Sequence, residues 1–96
     1  MILGNIYHQE DFEKIKSKQV YKNERFHAVL IQLKKEEMLK PHHSVTDAFL
    51  MVAEGEIIFT LKEKAHALRK GDMFSFKAFE THDVKAVTDA ILLIIK

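Results

Sequence analysis

The sequence predicts one all-β domain whose short antiparallel strands close around a single core. Three observations carry this. Apolar runs recur along the chain from Phe26 onward, none longer than the eight residues of Phe26 to Leu33. That length suits strands and is too short for free-standing helices. Turn signals separate the runs: Glu54-Gly55, Lys70-Gly71-Asp72 and Thr88-Asp89. The third observation is size. A chain of 96 residues, 47% hydrophobic, supplies one core without staples and is too short for two domains.

The elements follow in order. Residues 1–19 are expected to form an N-terminal arm and residues 20–96 the barrel. Within the arm, Phe12 and Ile15 lie three apart, which fits a helical turn or two behind Asp11, or an irregular segment. FHAVLIQL, from Phe26, reads as a strand buried on both faces. The polar stretch KKEEMLKPHH reads as a loop, because Pro41 removes a donor and interrupts pairing. Asp47 to Ala53 and Glu56 to Lys62 read as two strands of a hairpin turning at Glu54-Gly55. EKAHALRK favours helix locally, yet its alternation and its length before Gly71 favour a short strand. Strands are expected at Met73 to Phe76, at His82 to Val87 with His82, Val84 and Ala86 on one face, and at Ala90 to Ile95.

Charge narrows the function. Fifteen basic residues against 14 acidic leave no basic field for phosphates, so nucleic acid is not an expected partner. Zero cysteines exclude disulfides, thiolate metal sites and cysteine nucleophiles. MILGNIYHQED lacks a signal-like apolar run, and ILLII is far shorter than the roughly 20 residues of a membrane span. The expectation is a cytoplasmic chain with no membrane partner. The runs Phe26 to Leu33 and Ala90 to Ile95 are too apolar to be bare sheet edges, so a homodimer covering one of them is expected.

The chemistry gathers at four residues. His42 and His43 sit where a polar loop enters a strand, Asp47 follows, and His82 opens a later strand. If those strand entries converge at one mouth, imidazoles and a carboxylate meet there. Such a set binds a divalent transition metal: zinc, nickel, iron, manganese or copper. His27 and His66 fall inside strand runs and read as surface or satisfied core residues. Phe49, Phe59, Phe74, Phe76 and Phe79 read mostly as core or pocket wall, with Met51 and Met73 filling gaps among them. No serine, lysine or carboxylate pair has the spacing of a covalent nucleophile or a glycosidase dyad.

The stretch from Leu39 to Ala86 resembles a small single-domain cupin, carried by two motifs. The second cupin motif starts at Gly71, with Lys77 at its proline, Phe79 at its second glycine, His82 at its histidine and Ala86 at its asparagine. The first motif closes at Gly55. The resemblance implies a double-stranded β-helix, or jelly-roll barrel, with a metal held inside. Two registers are open for the first motif. The usual spacing back from Gly55 places Ala48 at the glutamate, Ser44 at the second histidine of His-x-His and His42 at the first. A bulged strand would place Asp47 at the carboxylate and His43 at the second histidine. A slip of one residue swaps strand faces, so the two registers exclude each other. The expected function is binding of a divalent metal, a small polar ligand, or both, through His42 or His43 and His82. The alternative is a metal-free binding or sensing module. The resemblance fixes no reaction.

Overall fold

The structure is a computed structural model, and it describes residues 1–8 and 10–96. Among the described residues the chain forms nine strands and no helix. They are β1 (Ile15–Lys22), β2 (His27–Leu33), β3 (Met38–His42), β4 (Ala48–Glu54), β5 (Glu56–Leu61), β6 (Lys64–Arg69), β7 (Met73–Phe76), β8 (His82–Ala86) and β9 (Ala90–Ile95). All pairings are antiparallel. One sheet runs β1-β2-β9-β4-β7 and the other β3-β8-β5-β6. The two face each other as a jelly roll, as the sequence predicts.

Alternation builds the core. Leu33 of β2, Leu50 and Val52 of β4, Ile57 and Phe59 of β5, Val84 of β8 and Leu92 of β9 are all fully buried between the sheets. Each is one of a set two residues apart, the period that sends a strand's side chains to one face. His82 shares the inward set of β8 with Val84 and Ala86, as expected.

Several local expectations are corrected. Phe12 and Ile15 start no helical turn. The chain pairs from Ile15, opposite Leu33, so the irregular arm ends before residue 19. β1 is an edge strand carrying Lys16, Lys18 and Lys22, and it has almost no buried side chains. Nothing in its periodicity could announce it, and lysines are a common device for blunting an exposed edge. The stretch around Pro41 is also a strand, β3. Proline is tolerated there because β3 is an edge and its register shifts between Leu39 and His42. Glu54-Gly55 is not a hairpin turn, since β4 and β5 lie in different sheets and the chain crosses over at Gly55. β2 and β9 are not edges either. They pair with each other and are flanked by β1 and β4.

The core expectation fails for Phe49, Met51 and Met73. These side chains point away from the barrel, and Met73 is 68% exposed. They alternate out of phase with Leu50, Val52 and Phe74, so composition suggested core where register put surface. The arm crosses this outer face, held where the Tyr7 hydroxyl donates to the Ala53 carbonyl at 3.0 Å.

Candidate functional site

Two strands of one sheet make the site. β3 and β8 pair so that His42 stands directly opposite His82. The register shift around Pro41 produces this juxtaposition. The rings meet edge to face, with centroids 4.3 Å apart and Nε2 to Nε2 at 3.1 Å.

The other nitrogen of each ring fixes the tautomer. His42 Nδ1 lies 2.7 Å from the Lys40 carbonyl, and His82 Nδ1 lies 2.9 Å from the Glu80 carbonyl. A carbonyl oxygen only accepts, so each Nδ1 must carry a proton and donate it. In the neutral rings both Nε2 atoms are then bare lone pairs, facing each other. That arrangement calls for something electron-poor between them: a proton, a ligand's donor group or a metal ion.

The surroundings differ for the two rings. His82 is only 4% exposed. It stacks on Phe59, with centroids 5.6 Å apart and an interplanar angle of 13°, and lies against Phe76 at 4.4 Å. This burial holds the imidazolium of His82 below the usual histidine range. The Glu80 carbonyl opposes that shift, while nearby His42 adds to it. His42 is solvent-exposed and stands at the mouth. Behind the pair, Ile31, Leu39, Ser44, Phe59, Phe76 and Val84 help line a cavity of about 60 Å³. That is well under the roughly 300 Å³ at which pockets for drug-sized ligands begin.

The structure brings together His42 and His82 of the four predicted site residues, and it leaves out His43 and Asp47. His43 is exposed, its ring 5.8 Å from that of Phe79. Asp47 caps a loop. Its Oδ1 accepts the Ala78 N–H at 2.9 Å, and its Oδ2 lies 3.7 Å from the Lys77 ammonium. With His42 inward, Ser44 lines the same cavity and Ala48 is buried against β7 opposite Phe76. This places His42 and Ser44 at the His-x-His positions and Ala48 at the carboxylate position, and it does so even though β4 carries a register shift between Val52 and Glu54, just before Gly55. Among the described residues no three histidine, cysteine or acidic side chains cluster closely enough to hold an ion. Sequence reasoning did not single out Ser44 beyond its place in that register.

As donors to a metal, the residues present fit in part. Zinc–imidazole bonds of about 2.0–2.1 Å put two neighbouring nitrogens about 3 Å apart, and both Nδ1 atoms are already held by carbonyls as metal-binding histidines usually are. His42 and His82 would hold the ion, and it would supply Lewis acidity toward a small oxygen ligand. The remaining positions would have to be filled by water or by that ligand.

The loop beside the mouth carries its own strain. Phe79 has φ +66° and is 65% exposed. Its N–H donates to the Ser44 carbonyl at 2.8 Å, and Glu80 closes the turn by accepting the Lys77 N–H. That bond, with the Lys62 ammonium, holds the Glu80 carboxyl below its usual range. A non-glycine residue in this region costs on the order of 1 kcal/mol. Phe79→Gly is therefore expected to raise the melting temperature, by up to about 1 kcal/mol in stability, despite deleting an aromatic ring. Thermal unfolding followed by circular dichroism checks it, and a lower melting temperature would show that the ring contributes more than the backbone costs.

A two-sheet jelly roll with a histidine pair on adjacent strands of one sheet, at the mouth of the barrel, defines a structural class, the small jelly-roll barrels. The family model for the cupin domain matches residues 29–96, and the chain belongs to that family. Solved structures agree on the fold. An RmlC-like cupin from Desulfovibrio desulfuricans is similar with a TM-score of 0.89 and 23% identity, over 99% of this chain and 94% of that one. A cupin superfamily protein from Desulfitobacterium hafniense gives a TM-score of 0.85 at 16% identity, over 93% and 82%. KdgF from a Halomonas species gives 0.80 at 22%, over 95% and 87%. At these identities the likeness speaks for the fold alone. No curated protein matches the chain. No helix among the described residues is long and apolar enough to cross a membrane.

Proposed function

We propose that this cupin binds one divalent transition ion between His42 and His82, and that the ion carries a small oxygen-bearing ligand such as a short carboxylate. The observation that supports the reading is the pair of tautomer-locked rings whose Nε2 lone pairs face each other across 3.1 Å. The cavity of about 60 Å³ limits the ligand to a few heavy atoms. Ser44 stands ready to hydrogen-bond it, and Phe59, Phe76 and Val84 exclude larger polar groups. The metal-free reading stays as the second one, because the protein offers only two donors. In that case the imidazoles accept hydrogen bonds from the ligand itself.

Titrating tag-free protein with zinc and nickel by calorimetry tests the proposal. Saturable one-to-one binding supports it, and no heat above background with either metal sinks it in favour of the metal-free site. Affinity is expected to fall in acid as the ring nitrogens protonate and lose their lone pairs, with burial delaying protonation of His82 to lower pH than a free imidazole would need. Stability should move the same way. Burial lowers the His82 pKa in the folded state, so below about 6.5 the unfolded chain binds the extra proton first. The stabilising contribution is full above that pH and is lost as pH falls toward the depressed folded value. Urea unfolding of metal-free protein between pH 8 and pH 5 would show it.

We also propose a homodimer. The strand edges first invoked do not exist, but Phe49, Met51 and Met73 make an apolar patch on the outer face of the five-stranded sheet. Exposed patches of this kind mark contact surfaces. Sedimentation should show a dimer at micromolar concentration that Met73→Glu dissociates. A wild-type monomer throughout the range would refute it.

A further inference from the structure

The other half of that outer face, under the N-terminal arm, holds a cavity of about 790 Å³ on the side of the sheet away from the histidine pair. Its floor includes Val20 of β1, Leu30 of β2 and Leu93 of β9, and the arm contributes Leu3 and Ile6. The volume lies within the range of small-molecule sites. The strand ladder gives it a polarity. At one end Gln32 pairs with Lys16 across β1 and β2. On the same face Leu30 follows, opposite Lys18 and Leu93, and then Ala28. From Gln32 to Ala28 is four residues, or about 14 Å at roughly 3.4 Å per residue.

The polar end offers two ammonium groups and an amide, with one carboxylate beside them. Gln32 is only 4% exposed, yet it lines the cavity, and among the described residues its amide makes no hydrogen bond. No fully sealed side-chain nitrogen or oxygen lacks a partner among those residues, so the polar atoms of Gln32 open onto the cavity. Beside it, the Lys16 ammonium is met by the Glu10 carboxylate at 3.2 Å. Glu10 is 84% exposed in its side chain, and such a surface pair contributes little and exchanges readily. The arm thus already presents one carboxylate to this end. Lys18, one alternation along, makes no ion pair among the described residues.

We infer that this cavity is a second binding site, for an unbranched aliphatic carboxylate. Its head lies on Lys16, Lys18 and the Gln32 amide N–H, and its chain runs over Leu30 and Leu93 toward Val20, beneath Leu3 and Ile6. The site is independent of the histidine pair, which faces the barrel interior. The experiment is calorimetric titration of the full chain with decanoate below its micelle concentration, with decylamine as the charge-reversed probe. Decanoate should saturate one site. Lys18→Glu, an exposed substitution that leaves folding intact, and Gln32→Leu should each weaken it by about tenfold. His82→Ala should leave it unchanged, which separates this site from the metal site. Three results would overturn the inference: no saturable decanoate binding, equal binding of decylamine, or a dimer that Leu30→Arg dissociates while Met73→Glu does not. The last would mean that a second copy of the chain fills the cavity.

Discussion

Replacing His82 with glutamine is expected to abolish zinc and nickel binding. Removing groups that merely orient metal ligands costs about 10–100-fold in affinity, and deleting one of two direct donors should exceed that. His42→Ala should fail to the same degree, because its Nε2 would be the other donor of the proposed site. His43→Ala and Asp47→Asn should change affinity by no more than about twofold, as exposed substitutions away from a site usually do. The contrast decides between the two registers. A large loss in Asp47→Asn would mean that the loop it caps through Ala78 rearranges to bring its carboxylate inward. Melting curves run beside the calorimetry separate lost donors from lost fold, since His82 packs between Phe59 and Phe76.

Gly55→Ala is expected to be the most damaging single substitution on stability. Gly55 has φ +83°, where a side chain is strained, and a Cβ there would collide with the Asp89 carbonyl and approach Thr88 Oγ1 to 2.8 Å. The neighbours cannot retreat cheaply. Lys70 donates its N–H to the Gly55 carbonyl at 3.0 Å, and the Glu56 N–H is held by Thr88 Oγ1 at 3.0 Å. Strain in this region costs about 1–3 kcal/mol, and the collision adds to it, so a loss of about 3 kcal/mol or more is expected. For a domain of this size that lowers the melting temperature by roughly 12–24 °C. Gly71→Ala, also at positive φ but with open space around it, should cost less. Equal losses at the two glycines would show that backbone strain alone matters and that the close approach at Asp89 relaxes.

The elements with one buried face were legible. β5 and β8 announce themselves because their inward residues must be apolar at every second position, and β8 carries His82 inward by the same rule. β1 and β3 were illegible for a shared reason. They are edges, their side chains are mostly solvated, and their pairing is decided by the backbone of β2 and β8. The site inherits this division. His82 could be placed from the strand it sits on. The choice between His42 and His43 could not, because it depends on a register shift within an edge strand that contains a proline. The apolar runs of β2, β4 and β9 misled in a different way. They are apolar on both faces, and a linear pattern cannot say that the second face lies outside the barrel, under the arm and around Phe49 and Met73.

The histidine pair also joins strands of unequal security. β8 is flanked on both sides, while β3 hangs on the sheet by one neighbour and by a few bonds such as Glu36 N–H to the Ala86 carbonyl at 2.8 Å. An ion held between the two Nε2 atoms, as proposed, would work as a rivet through that margin. With the rivet out, the margin is free to peel, so binding and the fraying of β3 draw on one free energy. A tighter occupant gives a quieter edge, and any change that stiffens β3 tightens the occupant in return.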